Sequence, residues 1–311
     1  MIKTTGTNGG EETPAARMRA GLIFALVAAV GLGAVTTQAK FVYDAGGNAV
    51  TLMAWRFFCS TLLIGLVLVL QRRSVRVAPG NRTGVLSLGV IWSGSMICYL
   101  MAVESISVSL AVLILYSYPI LVMLVSLFTG RLVGSVLVIG VFAAGFVGIA
   151  LMLGGGEMTL HPAGLLFALL AAAGAAYTFL KGSSVAPSMD PLVLSFWVNF
   201  AGIFLIVPLL PGGFSMPVGF VGLVCLLGAT VSYIIAIVSQ FQSLSRLSAA
   251  RAALFFNLEP VVSILLAVLV LGEMLSWPQW SGAILVIVAL ISFSVFSGKG
   301  PAFDINRQGN R

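Results

Sequence analysis

"GLIFALVAAVG" at residues 21–31 and "GLLFALLAAAG" at residues 164–174 are one eleven-residue phrase written twice, identical at eight positions and offset by 143 in a chain of 311. Two further stretches repeat at nearly the same spacing. "TLMAWRFF" from Thr51 answers "VLSFWVNF" from Val193, which pairs Trp55 with Trp197 and Phe58 with Phe200. "YP" at 118–119 answers "EP" at 259–260. One pair of Leu-, Ala- and Gly-rich segments can match by chance. Three pairs, in order and at near-constant offset, read as a duplication of about half the chain.

The composition says where such a chain lives. It is 59% hydrophobic and 8% charged, against roughly 25% charged in ordinary soluble domains. A chain this apolar needs a lipid-facing surface, and each helix then needs about 20 apolar residues to cross a hydrocarbon core of about 30 Å. Runs such as "LVLSFWVNFAGIFLIVPLL" are continuously apolar rather than alternating with period two. That argues for helices and against a transmembrane barrel. The net charge of +7 does not point to nucleic acid, because most Lys and Arg sit in short gaps between apolar runs. The three cysteines, Cys59, Cys98 and Cys225, lie inside those runs as packing residues and imply no disulfide framework. The polar first residues read as a tail, and the first apolar run as a retained span rather than a cleaved signal.

The pattern predicts ten helices, at about 20–40, 50–70, 83–102, 106–128, 133–153, 162–181, 191–210, 217–239, 248–271 and 278–297. Turn chemistry marks the gaps: "DAGGN" at 44–48, "APGN" at 78–81, "GGGE" at 154–157, "PGG" at 211–213 and "SWP" at 276–278. The fold class expected is an all-α integral membrane protein, with ten transmembrane helices in two inverted-topology five-helix repeats. The expected division is a cytoplasmic tail over 1–19, a first repeat over 20–153, a second over 162–297 and a tail over 298–311. Inversion follows from counting: five crossings per half is odd, so the second copy enters the membrane from the opposite side. One set of helix ends carries Arg17, Arg19, Arg72, Arg73, Arg76, Arg82, Arg131, Lys181, Arg246, Arg251, Lys299, Arg307 and Arg311. The other carries Lys40 with Asp44, Glu104, Glu157 and Glu273. The positive-inside rule then puts both termini in the cytoplasm, and the location expected is the inner (plasma) membrane.

These features resemble the drug/metabolite transporter superfamily, specifically its EamA-type members with ten helices in two halves. The likeness is carried by "AWRF" at 54–57, "YSYP" at 116–119, "LSAARAALFFNLEPVVSILLAVLVLGE" at 247–273 and "WPQWSGAILVIVAL" at 277–290, within a stretch running from residue 20 to about 298. "FTGRL" at 128–132 departs from the pattern that the second half shows as "LGEML" at 271–275. The resemblance implies export or exchange of a small metabolite, with amino-acid export foremost given the aromatic residues inside. Amines, drugs, nucleotide-like compounds and flat ring compounds are the alternatives. No cofactor, metal or nucleic-acid partner is implied. The partners expected are a small-molecule substrate and the lipid bilayer, and a monomer suffices.

Ionisable groups inside a bilayer are costly and usually face a bundle interior or a wet cavity. Glu259 lies deep in the ninth segment, before Pro260. It either faces a cavity, where it exchanges protons or meets a substrate ammonium, or it holds backbone groups that Pro260 leaves free. Arg56, nearer a membrane face in the second segment, either anchors by snorkelling or by pairing with Asp44, or contacts a substrate carboxylate. Trp92 and Tyr99 are seven apart and share a helix face; with Tyr116, Tyr118, Tyr233 and Asn257 they are the candidate cavity lining. Ser93, Ser95 and Asn199 join helices or line the same space. Pro119 and Pro260, at corresponding depth in the two halves, with Gly94 and Gly174, are candidate hinges; close packing is the alternative for the glycines. Gly31 and Gly33 share that pair of readings. Trp277 and Trp280 read as interfacial belt residues.

Three function classes compete. Secondary transport suits an inverted repeat with polar groups at the midplane; "GGGEM" at 154–158 lacks the Gly-Lys-Ser/Thr of a nucleotide-binding loop. An intramembrane enzyme needs paired acids, a metal site or a nucleophile with its base at depth. The single histidine, His161, sits at a loop edge, so no catalytic set is assigned. A channel would show charged rings or a filter loop, and neither is visible in the sequence.

Overall fold

The structure, a computed structural model, describes residues 13–132, 135–154, 161–272 and 274–297. All regular elements among them are helical: α1 (Pro14–Asp44), α2 (Ala49–Leu70), α3 (Arg82–Ser105), α4 (Val108–Leu115), α5 (Tyr118–Phe128), α6 (Val136–Leu153) and α7 (Pro162–Val185). The chain continues with α8 (Pro191–Ile206), the single turn α9 (Leu210–Gly213), α10 (Gly219–Leu244), α11 (Ala249–Phe256), α12 (Leu258–Leu271) and α13 (Trp277–Ser297). The pairs α4–α5, α8–α9 and α11–α12 each form one span, and among the described residues nine spans are long and apolar enough to cross a membrane. The tenth is α13, apolar over Trp277–Phe293. Side chains such as Leu62, Leu70, Phe128, Phe220 and Leu269 stand on the outside of the bundle. Only lipid gives that surface an apolar environment.

Most spans fall where the apolar runs place them. The first is longer, because Thr13 caps it by accepting from the Ala16 amide at 3.2 Å and Pro14 fits the first turn. Residues 14–19 of the expected tail are therefore helical. Residues 1–12 of that tail, the tail over 298–311, and Glu157 and Glu273 lie outside the described residues.

The two halves pack as an exchange symmetry demands. α1 lies along α10 and α3 along α7; these are the same pairing, written once for each half. α2 packs on α8, and α6 on α13, as self-paired mates. Glycine makes the closest approaches possible. A methyl group at Gly31 would stand 2.9 Å from the Ser232 carbonyl and 3.0 Å from Ala236; at Gly174 it would stand 3.3 Å from the Ile91 carbonyl and 2.7 Å from Ser95. Ser232 and Ala236 follow Ile91 and Ser95 by 141 residues each, so the two contacts are one contact repeated. The opening phrase is thus two helix faces built to touch another backbone.

The ends of α2 and α8 repeat one another too. Asn48 caps α2 through the Thr51 amide, and Asp190 caps α8 through the Leu192 amide, each at 2.9 Å. Each half also grips the other. The Asn48 amide donates to the Gly213 carbonyl at 2.5 Å, and the Trp55 indole to the Met216 sulfur at 3.2 Å. On the opposite face Arg73 pairs with Asp190 at 2.6 Å, and the Trp197 indole donates to the Val75 carbonyl at 2.9 Å.

Candidate functional site

Two spans break at matching depth. α4 ends at Leu115, and the Ser117 amide bonds back to the Ile114 carbonyl at 3.0 Å before α5 starts at Tyr118 with Pro119 in its first turn. α11 ends at Phe256, and the Asn257 amide bonds to the Leu254 carbonyl at 3.1 Å before α12 starts at Leu258. Each proline therefore follows a break within its span. A proline disfavours helix in the residue before it but sits well in a first turn, whose amides have no intrahelical partner. The result is two half-helix amino-terminal ends deep in the bundle. Glu259 occupies the first turn of α12, where the positive end of the helix dipole and free amides favour a negative charge.

A cavity of about 380 Å³ lies against these breaks. Its walls include Arg56, Trp92, Tyr99, Tyr116, Tyr118 and Glu259, six of the residues singled out by sequence. Tyr116, Arg56 and Glu259 thus stand in the wall of one cavity. Arg56 lies over the Tyr233 ring, 4.0 Å from its centroid. The Trp92 indole donates to the Tyr233 hydroxyl at 3.4 Å. Tyr233 is thus the platform beneath Arg56, buried rather than lining. Trp92 and Tyr233 are themselves repeat mates, so their bond crosses the line about which the halves exchange.

Asn257 takes a different place. It is buried beside Gly145 of α6 and is not in the cavity wall. Helical residues two apart point to nearly opposite sides, so its nearness to Glu259 in sequence does not bring it to the same space. Gly174 forms the close approach to α3 described above, whereas Gly94 faces open space, with nothing within 4 Å of where a methyl group would stand. Ser95 donates to the Ala171 carbonyl at 2.7 Å and Asn199 to the Ser195 carbonyl at 2.8 Å; both tie backbone rather than line the cavity. Sequence reasoning did not single out Tyr43, Thr36, Phe179, Gln240, Phe256 or Ser263, which also line it. Thr36 and Ser263 hydrogen-bond to each other across the gap between α1 and α12. Phe179 carries a readable signal, since it is the repeat mate of Thr36.

The cavity is one-sided. Much of its wall comes from the second half of α1, the start of α2, the end of α3 and α4, near the face that carries Asp44 and Glu104. Toward the arginine-rich face an aromatic floor closes it. Tyr118 stacks on Phe179 with centroids 5.0 Å apart, and Phe179 meets Phe256 edge-on at 5.0 Å. Beyond that floor α1 is fastened to the end of α10 and the start of α11. Arg17 donates to the Ser245 carbonyl at 2.9 Å, Arg251 to the Met18 sulfur at 3.0 Å, and Arg246 lies over the Phe24 ring at 5.0 Å.

Comparison with known proteins agrees with this architecture. The model of the EamA-like transporter family matches residues 19–154 and again 162–295. Twenty-nine chains of solved structures are similar. One, described as "Crystal structure of protein", has a TM-score of 0.76 at 18% identity, covering 89% of this chain and 98% of that one; it shares the fold. No curated protein matches. Two tandem family matches that together span most of the chain, on ten apolar helices in two inverted halves, place this protein in the EamA-like transporter family.

Proposed function

We propose that this membrane transporter is a secondary carrier that exports amino acids across a bacterial inner membrane by alternating access, with both termini in the cytoplasm. One observation carries the reading: a carboxyl, Glu259, and a guanidinium, Arg56, line the same aromatic-walled cavity. A free amino acid is a zwitterion, and this pair offers one partner for each of its charges. The aromatic walls suit an apolar or ring-bearing side chain, and the volume lies within the usual range for small-molecule sites. The half-helix ends near Tyr118 and Glu259 support a midplane site of the kind found in inverted-repeat carriers. Arginines at one set of loop ends support the cytoplasmic assignment of that face and of the closed side. Glu259 is also the group placed to exchange a proton with the solute path.

The test is binding, then flux. Purified protein is heated with a panel of amino acids, each beside its decarboxylated amine and its deaminated acid. The zwitterion raises the unfolding temperature more than either analogue, and the same compound drives counterflow in proteoliposomes. Stabilisation by the amine equal to that by the amino acid would remove Arg56 from recognition. That outcome would favour a carrier of cations or flat ring compounds, for which the Tyr118–Phe179 stack is the supporting contact.

A further inference from the structure

At several positions around the cavity, corresponding residues of the two halves have opposite burial. Tyr43 is 44% exposed, and its mate Ala186 is 1% exposed; Val108 is 58% exposed, and its mate Ala249 is 6% exposed. Tyr99 and Tyr116 line the cavity, and their mates are Gln240, at the cavity's closed end, and Asn257, exposed by only 1% and 2%. Where the first half is open, the second is shut.

The shut side has the wrong chemistry for a permanent seal. Both amide atoms of Gln240 and the carbonyl oxygen of Asn257 have no partner. Proteins rarely leave such groups buried and unpaired, and each one in a native interior calls for a reason. In the same segment Ala253 is fully buried, yet its mate Val112 lines the open cavity. Polar and apolar positions of the open wall are therefore repeated on the shut side, in the inverted sense.

We infer that Gln240 and Asn257 line a second half-site, sealed in this state, that opens to the arginine-rich face when the two halves exchange conformations. There the two amides meet the polar groups of the same solute, and its water, in the roles that Tyr99 and Tyr116 fill now. The inference rests on reading the chain as a carrier that works between two states. It adds which residues form the inner mouth. It also explains why amides stand on a wall that is otherwise apolar.

The experiment uses full-length protein in sealed vesicles, with Cys59, Cys98 and Cys225 replaced by Ala. Single variants Gln240→Cys and Asn257→Cys are treated with a membrane-impermeant thiol reagent from the arginine-rich side. Ala229→Cys is the reference, because Ala229 and its mate Leu88 are both fully buried. Counterflow of the amino acid that best stabilises the protein is measured on the same vesicles. The expected result is labelling of both variants at least ten-fold faster than Ala229→Cys, slowed by that amino acid. Labelling no faster than the reference while counterflow persists overturns the half-site and leaves the carrier reading standing. Fast labelling without counterflow of any compound in the panel supports the half-site and removes the carrier reading. Failure of both removes the two together.

Discussion

Replacing Gly31 by alanine tests the arrangement of the halves most simply. In a helix interior alanine is favoured over glycine by up to about 1 kcal/mol. The added methyl at Gly31 would stand 2.9 Å from a backbone oxygen of α10 and 3.0 Å from Ala236. A backbone oxygen cannot swing aside, so α1 and α10 must separate by several tenths of an ångström along their contact. Overpacking of that kind costs about 1–3 kcal/mol. The net effect is a loss of about 0–2 kcal/mol. Gly94→Ala supplies the control, because nothing lies within 4 Å of its methyl position. There the propensity gain stands alone, about 0.5–1 kcal/mol of stabilisation. The assay is thermal unfolding of both variants in one detergent, with Gly174→Ala alongside as the mate of Gly31. The order expected is Gly94→Ala above the parent protein, with Gly31→Ala and Gly174→Ala below it. Gly31→Ala as stable as Gly94→Ala would refute the close approach of α1 to α10, and with it the symmetric pairing of the halves.

Other outcomes follow from the cavity and the grips around it. Glu259→Gln keeps the shape and removes the charge; loss of one charged hydrogen bond, about 1.5–3 kcal/mol, lowers transport about 10- to 150-fold while folded yield falls much less. Equal falls in both leave Glu259 a structural role only. Arg56→Ala removes the cation held over Tyr233 and weakens binding of amino acids about ten-fold or more, with little change for the matching amines; paired binding isotherms read this directly. Arg73→Ala breaks a partly exposed ion pair and costs at most about 1 kcal/mol, less at high salt. Asp190→Ala costs about 1 kcal/mol more, because that residue also caps α8; salt-dependent melting separates the two effects.

The duplication was readable because geometry forces it onto residue type. Only glycine allows the approaches at Gly31 and Gly174, and only a break tolerates proline at 119 and 260, so the same letters recur. The aromatic and charged wall was readable because polar groups inside lipid have few places to go. Single polar residues were harder. Thr36, Ser263 and Gln240 sit in apolar runs where any helix face was open to them, and only the packing of α1 against α10 and α12 selects one. Arg56 needed a contact between α2 and α10 that no local pattern encodes. Asn257 was drawn in by its nearness to Glu259, but the chain between them is a helix start, and it turns that side chain toward α6. Tyr43 lies past the expected end of the first span, because α1 continues to Asp44.

The two halves cross the membrane in opposite senses around one cavity. Asp44 ends α1, and Pro187, its mate by the 143-residue offset, follows α7; both are exposed. In cysteine-free protein, Asp44→Cys and Pro187→Cys are labelled in sealed vesicles with an impermeant thiol reagent, before and after the membrane is opened. The two positions should react from opposite sides, Asp44→Cys from the arginine-poor side and Pro187→Cys from the arginine-rich side. Reaction of both from one side would contradict the inversion and everything built on it.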